Sequence, residues 1–375
     1  NQDLDFKKYA LSMYDVSIEH NSVDYRSLNQ YGYHVDCSKL VSFIKKKLFH
    51  KINFIDSEVL EINDDDGSIK ELILKNGMKI SSDFYIDCTG FKGILIKNRE
   101  RKKLTGRLFC NTAIAGHVPY ANREKELTPY VISQAVDHGW IWKIPVKNRI
   151  GSGLVFDRNI TDVEEAKEYF INHWNYRISK DRLSVIDWTP YYDIKQWKDN
   201  VASIGLSAGF IEPLESTGIS LIMAGISKLY DVISDYQYDN YSRDLFNSQM
   251  AVWFEDCIDF VSMHYYKNNR DTKFWKNVKE NISKSDRFEY YKNKLLESNI
   301  PIPFNGKFIN VFGGSNWSSW MIQMGYKLAE RNLTLPKKQI RKILESNYNN
   351  NERDRFIWSR FHSLEIDRLS KLKKE

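Results

Sequence analysis

The 375-residue sequence has few cysteines, and none of them form a framework. Cys37, Cys88, Cys110 and Cys257 are far apart and give no Cys-x-x-Cys pair. That argues against a zinc ribbon or a disulfide scaffold and for a reduced compartment. Long apolar runs are also missing. None approaches the roughly 20 residues that cross a bilayer, and the opening Asn-Gln-Asp-Leu-Asp-Phe-Lys-Lys lacks the charged-then-apolar pattern of a leader. A cytoplasmic protein with no membrane partner is therefore expected. The dinucleotide turn Gly-x-Gly-x-x-Gly is absent. Gly151-Ser152-Gly153 does not supply it, because no helix signal follows. Nor is there a large excess of one charge. The net charge is +6, with bases and acids interleaved almost throughout. The clusters Lys97 to Lys103 and Lys371 to Lys374 are exceptions. Each reads as a solvated face, and no nucleic-acid partner is expected.

Aromatic residues are abundant, with ten tryptophans, enough for a core and an aromatic-lined pocket. The length allows a substantial core in two or three lobes. The chain is organised around Gly205-Leu206-Ser207-Ala208-Gly209-Phe210-Ile211-Glu212-Pro213-Leu214-Glu215-Ser216-Thr217-Gly218-Ile219. Small residues between Gly205 and Gly209 let backbone lie against a flat or phosphorylated ligand. Two carboxylates, Glu212 and Glu215, flank Pro213, which discourages helix before it. Ser216-Thr217-Gly218 then opens a helix with Ile219, Ile222, Ile226, Leu229 and Ile233 at helical spacing. The first N–H groups of such a helix are unpaired and sit at its positive end, so a small anion is accommodated there.

Taken in order, Phe6, Tyr9, Ala10 and Met13 have helical spacing. Asp36 in Tyr33-His34-Val35-Asp36 is placed to cap a helix with Leu40, Ile44 and Leu48, and His34 is a candidate pocket residue. Asp66-Gly67 and Asn76-Gly77 mark two hairpins. The strand ending Tyr85-Ile86-Asp87-Cys88-Thr89-Gly90 puts a carboxylate and bare backbone at a sheet's carboxyl edge, where open α/β sheets bind nucleotides. More strands follow between 104 and 160. Then comes a helix capped by Thr161, with Val163, Ala166, Phe170 and Trp174 inward, and a buried strand near Val201. The region from Met250 to Phe260 reads as helix. In His264-Tyr265-Tyr266 and Arg270 to Trp275 the structural role is preferred, with Arg270 and Asp271 anchoring a helix end. The piece from Arg353, with Trp358, Phe361, Leu364, Leu369 and Leu372, is expected to close the fold as a helix.

Gly139-Trp140-Ile141-Trp142-Lys143-Ile144-Pro145, together with Glu212-Pro213-Leu214-Glu215-Ser216-Thr217-Gly218, closely resembles the flavin-dependent halogenases, the family that includes the tryptophan halogenases. Both motifs stand in the family's order and at about its separation. The resemblance covers most of residues 30–330 and loosens after about 275. It implies a mixed α/β (α+β) fold of the flavin monooxygenase, p-hydroxybenzoate hydroxylase-like type. A core over 1–275 would carry the FAD site and a substrate-binding sheet, and a mostly helical region over 276–375 would cap the substrate.

The resemblance further implies that reduced FAD and dioxygen oxidise a bound halide (chloride, bromide or iodide) to a hypohalous-acid equivalent, which halogenates an indole or phenol. A separate flavin reductase would supply the reduced cofactor, to a monomer or homo-oligomer. By position, Glu215 matches the catalytic carboxylate, and Thr217 and Gly218 match the halide-binding amides. Ile55, on the strand before the Asp87 motif, Asp87, Gly90, Gly205, Leu206, Ser207 and Ile219 match flavin-side positions. Trp140 and Trp142 would wall the flavin from the substrate, with His34 and Trp317 in the substrate pocket. No metal site is expected. The family's first strand–turn–helix unit and its catalytic lysine have no counterpart in these residues; an N-terminally incomplete chain is the favoured reading, and a true fragment that holds FAD poorly is the other. Runner-up readings are an aromatic hydroxylase of the same fold and a non-catalytic binding protein derived from it.

Overall fold

The computed structural model describes residues 34–326, apart from 129, 237–238, 298–310, 314–315, 318–319 and 322–323. The helices expected around Phe6 to Met13 and Trp358 to Leu372 lie outside the described residues, as does much of the proposed 276–375 region. Among the described residues no helix is long and apolar enough to cross a membrane, and all four cysteines are free thiols.

Helix α1 (Cys37–Leu48) starts at Asp36, whose carboxylate accepts from Lys39 N–H, as its spacing predicts. Strands β1 (Val59–Asp65), β2 (Ser68–Leu74) and β3 (Lys79–Ile80) form an antiparallel meander. Its turns fall at Asp66-Gly67 and Asn76-Gly77, where positive φ is needed at Asp66 and at both glycines. Strand β4 (Tyr85–Asp87) belongs to another sheet, and β5 (Arg101–Lys103) to a third.

The large sheet comprises β6 (Thr112–Val118), β7 (Ile132–Val136), β8 (Gly139–Val146), β9 (Arg149–Phe156) and a later strand, with the four-residue helix α2 (Arg123–Glu126) between β6 and β7. Helix α3 (Val163–His173) lays Ala166, Phe170 and the following Trp174 on that sheet. Its cap is Asp162, one residue beyond the expected Thr161; the Asp162 carboxylate accepts from Glu164 and Glu165 N–H. Strand β10 (Ser184–Asp187) then completes the antiparallel order β10-β6-β9-β8-β7.

Strand β11 (Tyr191–Asp193) pairs with β5, and the short β12 (Trp197–Lys198) leads into β13 (Val201–Ser203). β13 lies parallel to β4, with Ser203 opposite Asp87, and β14 (Gly209–Phe210) pairs with β11. Four helices follow: α4 (Thr217–Tyr236), α5 (Asn240–Met263), α6 (Lys273–Asn281) and α7 (Asp286–Glu297). The expected domain boundary at 275/276 falls inside α6, whose Phe274, Trp275 and Val278 share one core cluster with Trp140. Arg270 does not anchor the helix end as expected. It reaches β7, donating to Ala135 C=O at 2.7 Å.

The inward face of α4 also differs from expectation. On α4 the buried face is Leu221, Leu229 and Val232, with Ile222 and Ile233 half-buried; Ile219 and Ile226 join Met223 and Tyr230 in an exposed apolar stripe. A helix apolar on most sides does not reveal its inward face by spacing alone. The Lys97 to Lys103 cluster is exposed over most of its length, as expected, with Arg99 the inward-turned exception. Lys97 pairs with Asp64, Lys102 with Glu255 and Arg101 with Asp193, while Arg99 is buried between Asp87 and Asp193. The Arg99 guanidinium also donates to the carbonyls of Ser207 at 2.6 Å and Ile96 at 3.1 Å. Burial pushes the Asp193 carboxyl up, opposed by Arg99.

Removing Arg99 leaves Asp87 with no cation and Asp193 with Arg101 alone, and neither carboxylate is exposed to water. Arg99→Ala is expected to lose about 3–5 kcal/mol of stability in urea unfolding. Arg99→Lys, which keeps the charge but not the planar fork, should lose less.

Candidate functional site

The carboxyl ends of the parallel strands β4 and β13 lie side by side and each runs into a one-turn 3-10 helix, Gly90–Lys92 and Gly205–Ser207. Both turns start with glycine at positive φ, 71° at Gly90 and 76° at Gly205. A Cβ on Gly90 would meet nothing within 4 Å, so a bare stretch of backbone faces outward there. The Asp87 carboxylate is fully buried and spent on protein. It accepts from Thr89 N–H and hydroxyl, Leu95 N–H and Arg99. Its contribution to this edge is to fix the Thr89-Gly90 backbone. Ser207 is buried too, with its hydroxyl donating to Asp87 C=O, whereas Leu206 is partly exposed. Ile55 lies in the irregular segment between α1 and β1, not on a strand.

From Phe210 the chain turns through Pro213–Glu215, another single 3-10 turn, and Ser216 takes the left-handed conformation at φ 54° before α4 begins at Thr217. A non-glycine residue there is uncommon and marks a constrained turn. The N–H groups of Thr217 and Gly218 are in the first turn of a 20-residue helix and have no intrahelical partner. A cavity of about 80 Å³ is lined by Gly205 and Leu206 on one side and Pro213, Thr217 and Gly218 on the other. The expected flavin-side turn and the expected halide turn thus meet at one space. Ile219 is not on its lining and is exposed on α4.

The two glutamates of the turn point into different surroundings. Glu215 faces a second, larger cleft of about 750 Å³, shared with Trp140, Trp275, Trp320 and His264. Its Oε1 is 2.7 Å from His264 Nε2. Glu212 is fully buried beside Trp140, Cys110 and Tyr265. Neither of its oxygens reaches hydrogen-bonding geometry with any described residue, and the Trp140 indole N–H is unpaired as well. Burial pushes the Glu212 carboxyl up to about 7, against the opposing pull of Tyr265, Cys110 and Trp140. Tyr265 Oη lies 3.5 Å from Cys110 Sγ, and burial raises both groups well above their ordinary range.

Trp140 and Trp142 lie on one face of β8, ring centroids 6.1 Å apart. Trp142 crosses over Gly153 of β9, where a Cβ would sit 2.1 Å from the indole. His34 is elsewhere: its Nδ1 is 2.8 Å from Pro145 C=O, at the other end of β8. Trp317 is not in the cleft but fully buried among Phe260, Tyr291 and Met321. Trp320, three residues on, is the residue that lines the cleft. His264, Tyr265, Trp275 and Trp320 are among the lining residues that sequence reasoning left out of the site. Among the described residues no three His, Cys, Asp or Glu side chains gather as metal ligands.

The chain has known relatives. The tryptophan halogenase family profile matches residues 10–335. The chain belongs to the tryptophan halogenase family. It is 32% identical over 326 residues to the tryptophan 6-halogenase ThaL of Streptomyces albogriseolus, covering 83% of this chain and 61% of that protein. It is 28% identical to the tryptophan 7-halogenase RebH of Lentzea aerocolonigenes, covering 71% and 52%. Its fold matches that of a flavin-dependent halogenase from Xanthomonas campestris at a TM-score of 0.84 and 23% identity, covering 94% and 72%. The mixed α/β halogenase fold expected from the sequence is thus the observed one. The chain spans less than two thirds of the length of these two curated tryptophan halogenases.

The raised Glu212 carboxyl has a stability consequence. An acid whose folded value is raised from 4.5 to about 7 stabilises the fold fully below 4.5, and that contribution is lost as pH rises through about 7. The loss amounts to about 3 kcal/mol. Urea unfolding at pH 5 and pH 8 should show it in the wild type and show a flatter profile in Glu212→Gln.

Proposed function

We propose that this chain is the catalytic body of an FAD-dependent halogenase acting on an electron-rich aromatic, indole or phenol. Supporting this is the Pro213–Ser216 turn, which gives Thr217 and Gly218 to one cavity and Glu215 to another. An anion held at the start of α4 and an aromatic ring held in the cleft would lie on opposite sides of that turn.

The residues present fit a flavin at the sheet edge. Bare backbone at Gly90, positive-φ Gly205 and partly exposed Leu206 and Phe91 leave room for a flat apolar ring system. Reduced FAD with dioxygen supplies the oxidising power that converts halide into an electrophilic halogen. The unpaired N–H groups of Thr217 and Gly218, at the positive end of α4, suit a halide ion in a mostly apolar cavity. On the cleft side, Trp140, Trp275 and Trp320 offer flat surfaces to an aromatic substrate. Replacing a ring hydrogen by halogen requires a proton to leave the ring carbon, and Glu215 is the carboxylate positioned to accept it. Trp140 and Trp142 would wall the flavin from the aromatic substrate, which favours halogen transfer over direct oxygenation. A flavin reductase is the expected partner.

The test incubates the full chain with a flavin reductase, NADH, FAD, bromide and a panel of indoles and phenols. Halide-dependent halogenated product supports the proposal. Hydroxylated product without halide dependence would replace it with a hydroxylase, and failure to bind FAD would leave a binding protein. Glu215→Gln is expected to lower halogenation by roughly 100-fold or more with FAD affinity unchanged, measured by product formation and flavin fluorescence.

A further inference from the structure

We infer that His264 is a positioning residue for Glu215, held as an imidazolium whose Nε2–H fixes one oxygen of that carboxylate; this rests on the proposed role of Glu215. Two acceptors face the two ring nitrogens of His264. His264 Nδ1 is 3.0 Å from Phe260 C=O. A carbonyl only accepts, so Nδ1 carries a hydrogen. Nε2 faces Glu215 Oε1 at 2.7 Å, a separation that requires a proton between the two atoms. With Nδ1 already protonated, that proton makes the ring doubly protonated or the carboxyl neutral.

The surroundings decide between these. Phe260 belongs to the last turn of α5, where carbonyls lack helical partners, and His264 N–H goes instead to Val261 C=O at 3.1 Å. The ring therefore caps the negative end of a 24-residue helix, an arrangement that favours a cation. The other charged groups lining the cleft are turned aside. Lys267 Nζ donates to Gly325 C=O at 2.8 Å, and Arg270 is engaged by Ala135 C=O and Asp137. Tyr265 faces Cys110 and Glu212 behind the wall. Trp320 and Phe260 meet the His264 ring at centroid distances of 4.7 and 5.5 Å, so its plane is fixed from two sides. With Oε1 held by the ring, the second oxygen, for which no hydrogen bond to a described residue is found, is the one presented to the cleft. A carboxylate on a single 3-10 turn is thereby given one orientation.

The experiment labels the histidines of the full chain with ¹⁵N and reads the ring nitrogens by long-range NMR at pH 7.5, with His264 assigned from the signal lost in His264→Gln. An imidazolium pattern in the wild type that becomes neutral in Glu215→Gln is the expected result. A neutral ring in the wild type, or one unchanged by Glu215→Gln, overturns the inference, and neither reading depends on halogenation being observed. Where activity is present, His264→Gln should lower kcat roughly 10- to 100-fold with the KM for the aromatic substrate within about twofold. A variant with unchanged kcat would also overturn it.

Discussion

The Arg99 guanidinium is the joint on which the rest of the architecture depends. It lies between Asp87, at the end of β4, and Asp193, at the end of β11, and these strands belong to different sheets. Both carboxylates are fully buried, and each would be costly without a cation. Arg101 supplies the second positive charge by pairing with Asp193. The same guanidinium takes the carbonyl of Ser207, so the 3-10 turn at the sheet edge is tied to the buried pair. The two expected flavin-side turns thus owe their relative placement to one planar, five-donor group. The position of Leu206 against Thr217 follows from that placement, because both line the small cavity.

From this joint the chain reaches the turn at 212–218, where two carboxylates three positions apart serve opposite purposes. Pro213 starts a single 3-10 turn and Ser216 ends it in the left-handed region. The backbone reverses so sharply that Glu212 goes into the core beside Trp140 while Glu215 goes to open space beside His264. A continuous helix would instead have set the two on roughly one face, as residues three apart are. Burial leaves Glu212 easily protonated near neutrality; contact with a histidine holds Glu215 at the cleft. The chemistry assigned to Glu215 therefore depends on the conformation of Ser216.

What the sequence made legible was mostly local. Asp66-Gly67 and Asn76-Gly77 announce their hairpins because the turn needs only the residues in it, and Asp36 caps α1 for the same reason. The halide turn was legible because Pro213, Thr217 and Gly218 are contiguous, and the paired motifs carried the family. Long-range partners were not. Lys97 to Lys103 read as a solvated run, which most of it is, but the inward turn of Arg99 went unseen because the acids that pair with Arg99 and Lys102, Asp193 and Glu255, are about 90 and 150 positions away. His264 read as structural because its partner lies 49 positions earlier, across a helix pair. Trp317 and Trp320 differ by three positions, a spacing that does not reveal which of them faces the cleft. The face of α4 was misjudged because isoleucine occurs on both its sides.

The Gly151-Ser152-Gly153 segment shows how a rejected motif acquires a physical meaning. It is no phosphate-binding turn, since it runs straight through β9 as paired strand. Gly153 is opposite Trp142, and any side chain there would occupy the space of the indole. The Ser152 hydroxyl, on the other face, donates to Trp142 C=O and accepts from Trp174 N–H, locking β8 to α3. The absent side chain at Gly153 lets Trp142 lie flat across the sheet, and Trp142 in turn supports Trp140 at 6.1 Å. The placement of the tryptophan pair proposed to wall the flavin from the substrate is thus set as much by a glycine on the neighbouring strand as by the tryptophans themselves. Enlarging that glycine would force Trp142 off the sheet and with it disturb the Trp140–Trp142 pair.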